Sequence, residues 1–161
     1  MALLPIETEL TGSNTILRKR SQEVEDILSP DIQQFIRDMH ETLAHTDNGV
    51  GLAAPQVGKN IRIFIAAPEL GLNQTVFINP VITKVLGKEE PMEEGCLSLP
   101  GLYGHTVRSN SLRLEAYNER GRKFKMKADG LIAQLVQHEI GHLNGELFKD
   151  IAEQVSEIHK K

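Results

Sequence analysis

A single cysteine, Cys96, excludes an internal disulfide and fits a reducing compartment. It is either an inert buried thiol or a functional one. Tryptophan is absent, and five phenylalanines and two tyrosines are too few to build a core, so aliphatic side chains must do so. Lysine and arginine total 18 against 22 acidic residues, a net charge of −4. Nucleic-acid binders normally carry a basic surplus, which disfavours that class. No apolar run approaches the roughly 18 residues of a membrane span. The opening Met1 to Ile6 is too short and uncharged to read as a signal peptide. No repeat, low-complexity tract or linker divides the chain. One domain over 1–161 is expected, with 151–161 a tail or short helix.

The composition is otherwise ordinary, 40% hydrophobic and 25% charged. The chain is organised around Gln137-His138-Glu139-Ile140-Gly141-His142-Leu143. Leu131, Ile132, Leu135, Val136, Ile140 and Leu143 recur at helical spacing between Gly130 and Gly145. His138 and His142 then lie one turn apart on one face. Two imidazoles so placed can bind one metal ion, and Glu139 between them can act as a base on metal-bound water. The bland alternative is a core helix that happens to carry two histidines.

A catalytic metal needs a third protein ligand and an open position. Cys96 is a candidate, because a thiolate suits a soft or borderline metal. His105, His159 and the downstream glutamates compete for that place. Gly49-Val50-Gly51-Leu52-Ala53-Ala54-Pro55-Gln56-Val57-Gly58 is dense in small residues, as where backbone must approach something closely. Gln56 is its only polar side chain, and an amide in such a tight apolar segment needs a partner. A phosphate loop is disfavoured, since no Gly-Lys-Ser/Thr follows.

Ser29-Pro30-Asp31 reads as a helix start, and Ile32, Phe35, Ile36, Met39 and Leu43 continue it to about His45. His40 and His45 read as surface histidines, and Arg18, Lys19 and Arg20 as a solvated face in a segment with little regular structure. Residues 61–65, 75–78 and 81–86 read as strands, with Pro80 interrupting the last two. Residues 112–117 and 123–127 alternate around Asn118-Glu119-Arg120-Gly121 and form a hairpin with one wet face. The fold class is α+β, with antiparallel sheets packed around the helix that carries the histidines.

Gly49 to Gln56, Glu94-Gly95-Cys96-Leu97-Ser98 and Gln137 to Leu143 together resemble the three motifs of the peptide deformylases, over about Ile16 to Asp150. The resemblance implies an enzyme that removes the N-formyl group from the first methionine of nascent polypeptides, releasing formate. It implies Cys96, His138 and His142 as ligands of one divalent ion, Fe²⁺ by preference, replaceable by Zn²⁺, Ni²⁺ or Co²⁺. Glu139 would be the general acid/base, and Gln56 with the Leu97 N–H would hold the oxyanion. Gly49, Val50, Gly51, Met92, Gly95, Tyr103, Leu131 and Leu135 would meet the substrate. The expected setting is the bacterial cytoplasm, as a monomer that meets N-formylmethionyl peptide ends and transiently the ribosome, with no membrane contact.

Three positions depart from the family's pattern. Gly141 replaces a common Asp, and mid-helix glycine costs about 1 kcal/mol relative to alanine. Tyr103 stands where many members have an Arg, and Gln134 places a polar group near the site. Two other readings compete. An H-E-x-x-H metallopeptidase would recruit Glu146, Glu153 or Glu157 as its third ligand. A deformylase-like binding protein would hold metal or peptide with weak catalysis.

Overall fold

The structure, a computed structural model, describes residues 3–8, 14–47, 49–147, 150 and 154–157. Among the described residues, three α-helices run over Asn14–Leu17 (α1), Pro30–Ala44 (α2) and Gly130–Leu143 (α3). The described strands run over Gly51–Ala53 (β1), Ile63–Ala66 (β2), Val76–Cys96 (β3), Leu99–Tyr117 (β4), Lys123–Asp129 (β5) and Gln154–Glu157 (β6). The first five form one antiparallel sheet in chain order, and β6 pairs with β4.

The sheet has helices on both faces where β1 to β3 lie. Ile63 and Ile65 of β2 join Phe35, Ile36, Met39 and Leu43 of α2 in one cluster. Phe64 and Ala66 join Leu135, Val136, Ile140 and Leu143 of α3 in another. Successive strand residues point to opposite faces, so a strand covered on both has no polar side to show. Ile63-Phe64-Ile65-Ala66 accordingly is buried throughout. β4 and β5 extend the wall around α3 with Leu112, Leu114, Ala116 and Ala128. Three of the scarce aromatics meet here: Phe64 stacks on Phe77 at 4.4 Å, and Phe77 meets the edge of Phe124 at 5.5 Å.

Ser29 caps α2 by accepting from the Ile32 N–H at 3.3 Å, with Pro30 first in the helix. The expected hairpin is β4–β5, closed by Asn118, whose Oδ1 accepts from the N–H groups of Arg120 and Arg122. Two expectations need correction. Pro80 does not separate two strands. β3 passes through it with a register shift between Ile78 and Val81, and Asn79 absorbs the bend at φ +51°. The stretch before Leu112, not read as a strand, belongs to β4 and pairs with β3 back to Cys96. From Tyr103 to Ser111 its buried positions are Gly104, Thr106, Arg108, Ser109 and Ser111, none of them a large apolar residue, so the apolar alternation that announces a strand is missing. Beyond Ile78, among the described residues, β3 pairs with β4 alone and its other edge is open.

The tail expectation falls partly outside the described residues, at 151–153 and 158–161. Where it is described, Gln154–Glu157 is a strand opposite Leu102 to His105, not a helix. No helix among the described residues is long and apolar enough to cross a membrane.

Candidate metal centre

Cys96 is the last residue of β3, and Leu97 and Ser98 turn the chain so that Cys96 faces Leu99 of β4. This tight hairpin presses the thiol against α3. Its Sγ lies 3.2 Å from His142 Nε2, and His142 Nε2 lies 3.2 Å from His138 Nε2. The three donor atoms all lie within 4.8 Å of one another. Two imidazole nitrogens facing each other can share only one proton, and a thiolate beside them adds a third electron pair. Such a set converges on a cation, as the ligands of one tetrahedral ion with bonds of roughly 2.0–2.3 Å do. His105, a competitor for the third place, is exposed on β4 and outside the cluster. Glu146 instead sits by Gly141, its Oε2 3.4 Å from where a Cβ at 141 would lie. His159 and Glu153 lie outside the described residues.

His138 is held from behind. Its Nδ1 meets Glu94 Oε1 at 2.8 Å. Arg108 donates to both oxygens of that carboxylate, Nε to Oε2 at 2.6 Å and a terminal nitrogen to Oε1 at 2.8 Å, and the Thr106 hydroxyl donates to Oε2. Burial alone would raise the Glu94 pKa. The hydrogen bonds from Arg108 and His138, the Arg108 charge and the Thr106 bond outweigh it and hold the carboxyl well below its usual range. Burial would lower His138, but hydrogen bonds to Cys96 and Glu94 and the charges of Cys96 and Glu139 push it up to about 10. Burial and the positive charges of His138 and Arg108 push His142 well below its ordinary value.

Glu139 is 2% exposed, with Oε1 3.9 Å from His138 Nε2. Its Oε2 has no hydrogen-bond partner among the described residues. Burial, helped by the Glu94 charge and opposed by His138 and Arg108, raises its pKa to about 7. A group that exchanges a proton near neutrality is what general acid–base catalysis requires. Gln56, 1% exposed, lies in the 3₁₀ turn Ala54–Val57. Its Oε1 accepts from the Ala53 N–H at 2.9 Å, which fixes the amide and aims Nε2 at Ser98 Oγ (3.2 Å) and Cys96 Sγ (3.5 Å).

A family profile for polypeptide deformylase matches residues 7–157. The chain belongs to that family. It is 41% identical over 151 residues to the peptide deformylase of Acinetobacter baumannii (strain SDF), covering 93% of this chain and 83% of that protein. The crystal structure of peptide deformylase from Thermotoga maritima superposes with a TM-score of 0.86 at 34% identity, covering 96% of this chain and 100% of that one. The complex of the Synechococcus elongatus enzyme with actinonin gives 0.86 at 38% identity, covering 94% and 79%. Deformylases are metal-dependent, and Cys96, His138 and His142 can hold an ion in this chain.

The remaining expected site residues fall into two groups. Gly51 lies on edge strand β1 against the helix: a Cβ there would lie 2.5 Å from Leu135 Cδ1 and 3.4 Å from the Glu139 carboxyl carbon. Gly49 is half-buried, Val50 and Leu131 are exposed, and Leu135 is buried one turn after Leu131. On the hairpin, Met92 is half-buried opposite Thr106, and Gly95 is exposed opposite Tyr103. Alternation puts Tyr103 on the face of β4 away from Gly104, Thr106 and Arg108. Gln134 donates to the Glu93 carbonyl at 2.8 Å, tying α3 to β3. The Thr106–Arg108 support was not found from sequence. Glu94 stood in view two residues before Cys96, but its partners come from a strand whose inward side is polar.

Gly51→Ala should overpack this junction. Overpacking costs typically about 1–3 kcal/mol. Leu135, one turn before Glu139, and the Ile65 carbonyl must give way, which disturbs the packing under Glu139, so the rate of the metal-loaded variant should fall more than its melting point accounts for. Wild-type kinetics at matched folded fraction would refute this.

Protonation sets a second expectation, for the metal-free protein. Glu139 is raised from 4.5 to about 7 and His138 from 6.5 to about 10. Their stabilising contributions are complete below 4.5 and 6.5 and are lost as pH rises through the folded values. Glu94, lowered from 4.5, contributes above that value and is lost on acidification. His142, lowered from 6.5, adds stability as pH rises to that value and offsets the Glu139 loss, so the melting temperature of stripped protein should peak in mildly acid buffer and decline from about pH 7 to pH 9. Metal loading should release protons and flatten the decline. A melting temperature that rises over that range would contradict the assignment.

Proposed function

We propose that this chain removes the N-formyl group from N-formylmethionyl ends of nascent polypeptides, releasing formate. The observation that carries the reading is one cysteine sulfur and two imidazoles converging within 4.8 Å beside a buried carboxyl with an oxygen that has no hydrogen-bond partner among the described residues. Cys96, His138 and His142 hold the ion, with Fe²⁺ preferred and Zn²⁺, Ni²⁺ or Co²⁺ able to replace it. When bound, the ion supplies Lewis acidity to the formyl oxygen and to water.

The chain's own residues do the rest. Glu139 takes one proton from the attacking water through Oε2 as a C–O bond forms at the formyl carbon. The formyl oxygen gains negative charge and accepts hydrogen bonds from Gln56 Nε2 and the Leu97 N–H. When the C–N bond breaks, Glu139 returns its proton to the leaving amine, and the second water proton, on the new hydroxyl, is lost to solvent as formic acid ionises to formate. Donors held rigidly at a developing oxyanion are worth roughly 10²–10³ in rate each. The clamp on Gln56 Oε1 supplies that rigidity.

The substrate enters extended between two open edges, with its main chain paired to Gly51 of β1 and Gly95 of β3. Val50, Leu131 and Leu135, with Met92 across the cleft, receive the methionine side chain, and Gly49 leaves room for backbone. Tyr103 acts from the outer face of the hairpin. The partners are nascent chain ends and, in passing, the ribosome. The enzyme works as a monomer in the bacterial cytoplasm.

The test is formate release from formyl-Met-Ala-Ser by protein prepared without oxygen and loaded with Fe²⁺ or Ni²⁺. An unformylated peptide is the control. Stoichiometric metal with no formate would refute the activity.

A further inference from the structure

The two histidines are positioned by different means. His138 is braced through its ring, by Glu94. His142 is not: its Nδ1 is buried and has no hydrogen-bond partner among the described residues. An imidazole ligand normally donates its second ring nitrogen to an orienting acceptor. His142 must therefore take its place from its main chain, and residue 141 before it is a glycine, which stiffens a helix least.

The end of α3 is held from outside the helix. The Leu143 carbonyl accepts from the Ser21 N–H at 2.7 Å and from an Arg62 guanidinium nitrogen at 3.0 Å. The other Arg62 terminal nitrogen donates to Asn144 Oδ1 at 3.0 Å. Arg62 is 7% exposed, and its own backbone is fixed on both sides. Its N–H donates to Gln22 O at 2.9 Å, and its carbonyl accepts from Asn79 N–H at 2.8 Å. A buried guanidinium at a helix C-terminus meets the negative end of the dipole with two directed bonds. The residue next to His142 is thereby tied to β3, the strand that delivers Cys96.

We infer that Arg62 is a positioning residue of the metal centre, fixing His142 relative to Cys96 through the C-terminal end of α3. This inference rests on the ligand set proposed above. Among the described residues, no other charged side chain bonds to the last-turn carbonyl that follows His142.

The experiment measures metal affinity by chelator competition and the visible spectrum of the Co²⁺ form, for wild type, Arg62→Ala, Arg62→Lys and Met39→Ala. Met39 is buried on α2, away from α3, and its truncation controls for lost stability. Arg62→Ala should lose roughly 10–100-fold in metal affinity, the usual cost of removing an outer-shell support. Its Co²⁺ bands should shift, and kcat should fall with KM for formyl-Met-Ala-Ser unchanged. Lysine keeps the charge without the fork and should recover part of the loss. Wild-type affinity and spectrum in folded Arg62→Ala would overturn the inference, as would an equal metal loss in Met39→Ala. If Arg62→Ala does not fold, Asn144→Ala removes one acceptor at an exposed position, read against Arg20→Ala because Arg20 also donates to Asn144 Oδ1 at 3.2 Å. A smaller loss in the same direction supports the inference, and unchanged affinity overturns it. Wild type is read first: absence of metal binding removes the ligand set itself, whereas metal binding without formate refutes only the activity.

Discussion

Glu139→Gln should bind metal stoichiometrically and lose formate release by about 10²–10⁴, the usual worth of a positioned acid–base group. The substitution keeps the volume of a side chain that is 2% exposed, so the cleft is not emptied. It removes the proton acceptor whose Oε2 is otherwise unpartnered. The variant has a second signature. Wild-type Glu139 must carry a buried charge above about pH 7, which costs stability because its folded pKa is raised. The amide carries none, so the metal-free variant should melt higher than wild type at alkaline pH and match it in acid. Metal content by atomic emission, formate by a coupled assay and melting curves decide the matter. An active variant would shift the base to another group.

Arg108→Ala should be the most destabilising substitution near the site. Glu94 and Arg108 are both buried, 5% and 9% exposed, and bonded twice. Deleting one partner of a buried pair leaves an uncompensated charge and costs about 3–5 kcal/mol. In a chain of this size each kcal/mol shifts the melting temperature by about 2–4 °C. Replacing both partners, as Glu94→Gln with Arg108→Met, removes the stranded charge and should recover most of that stability. Metal affinity should not recover fully, because His138 then faces a weaker acceptor. Separate recovery of fold and metal site is the expected outcome. Equal stability of single and double variants would show that the two groups are not coupled.

The contrast between these residues explains how far the sequence could be read. Helix α3 was legible because its apolar period is regular, and the two histidines expected on one face of it do meet there. Ser29 and the β4–β5 hairpin were legible through capping and alternation, both local signals. Thr106 and Arg108 were not. They lie on the inner face of a strand, where the rule for strands expects aliphatic residues, and they pair across the hairpin with Glu94. Arg62 was hidden for the same reason, since a charged residue beside Ile63 and Ile65 reads as one more polar position. Pro80 misled because a bulge with Asn79 at positive φ lets a strand continue through it. Long-range partners of buried charges leave no periodic trace.

The open edge of β3 carries a further consequence. An edge that offers free N–H and C=O groups attracts any extended chain, including a second copy of itself. From Lys84 to Pro91 that edge is lined by exposed Lys84, Lys88, Glu89 and Glu90 and ends in a proline that has no N–H to give. Past Pro91, from Met92 to Gly95, the guard thins to exposed Glu93, whose carbonyl Gln134 already holds, and there the strand runs into Cys96. In the proposed complex the least guarded part of this edge among the described residues is the part that leads to the metal site. The proposed function thus has extended chains turned away along most of this edge and admitted where their first residue would meet Glu139.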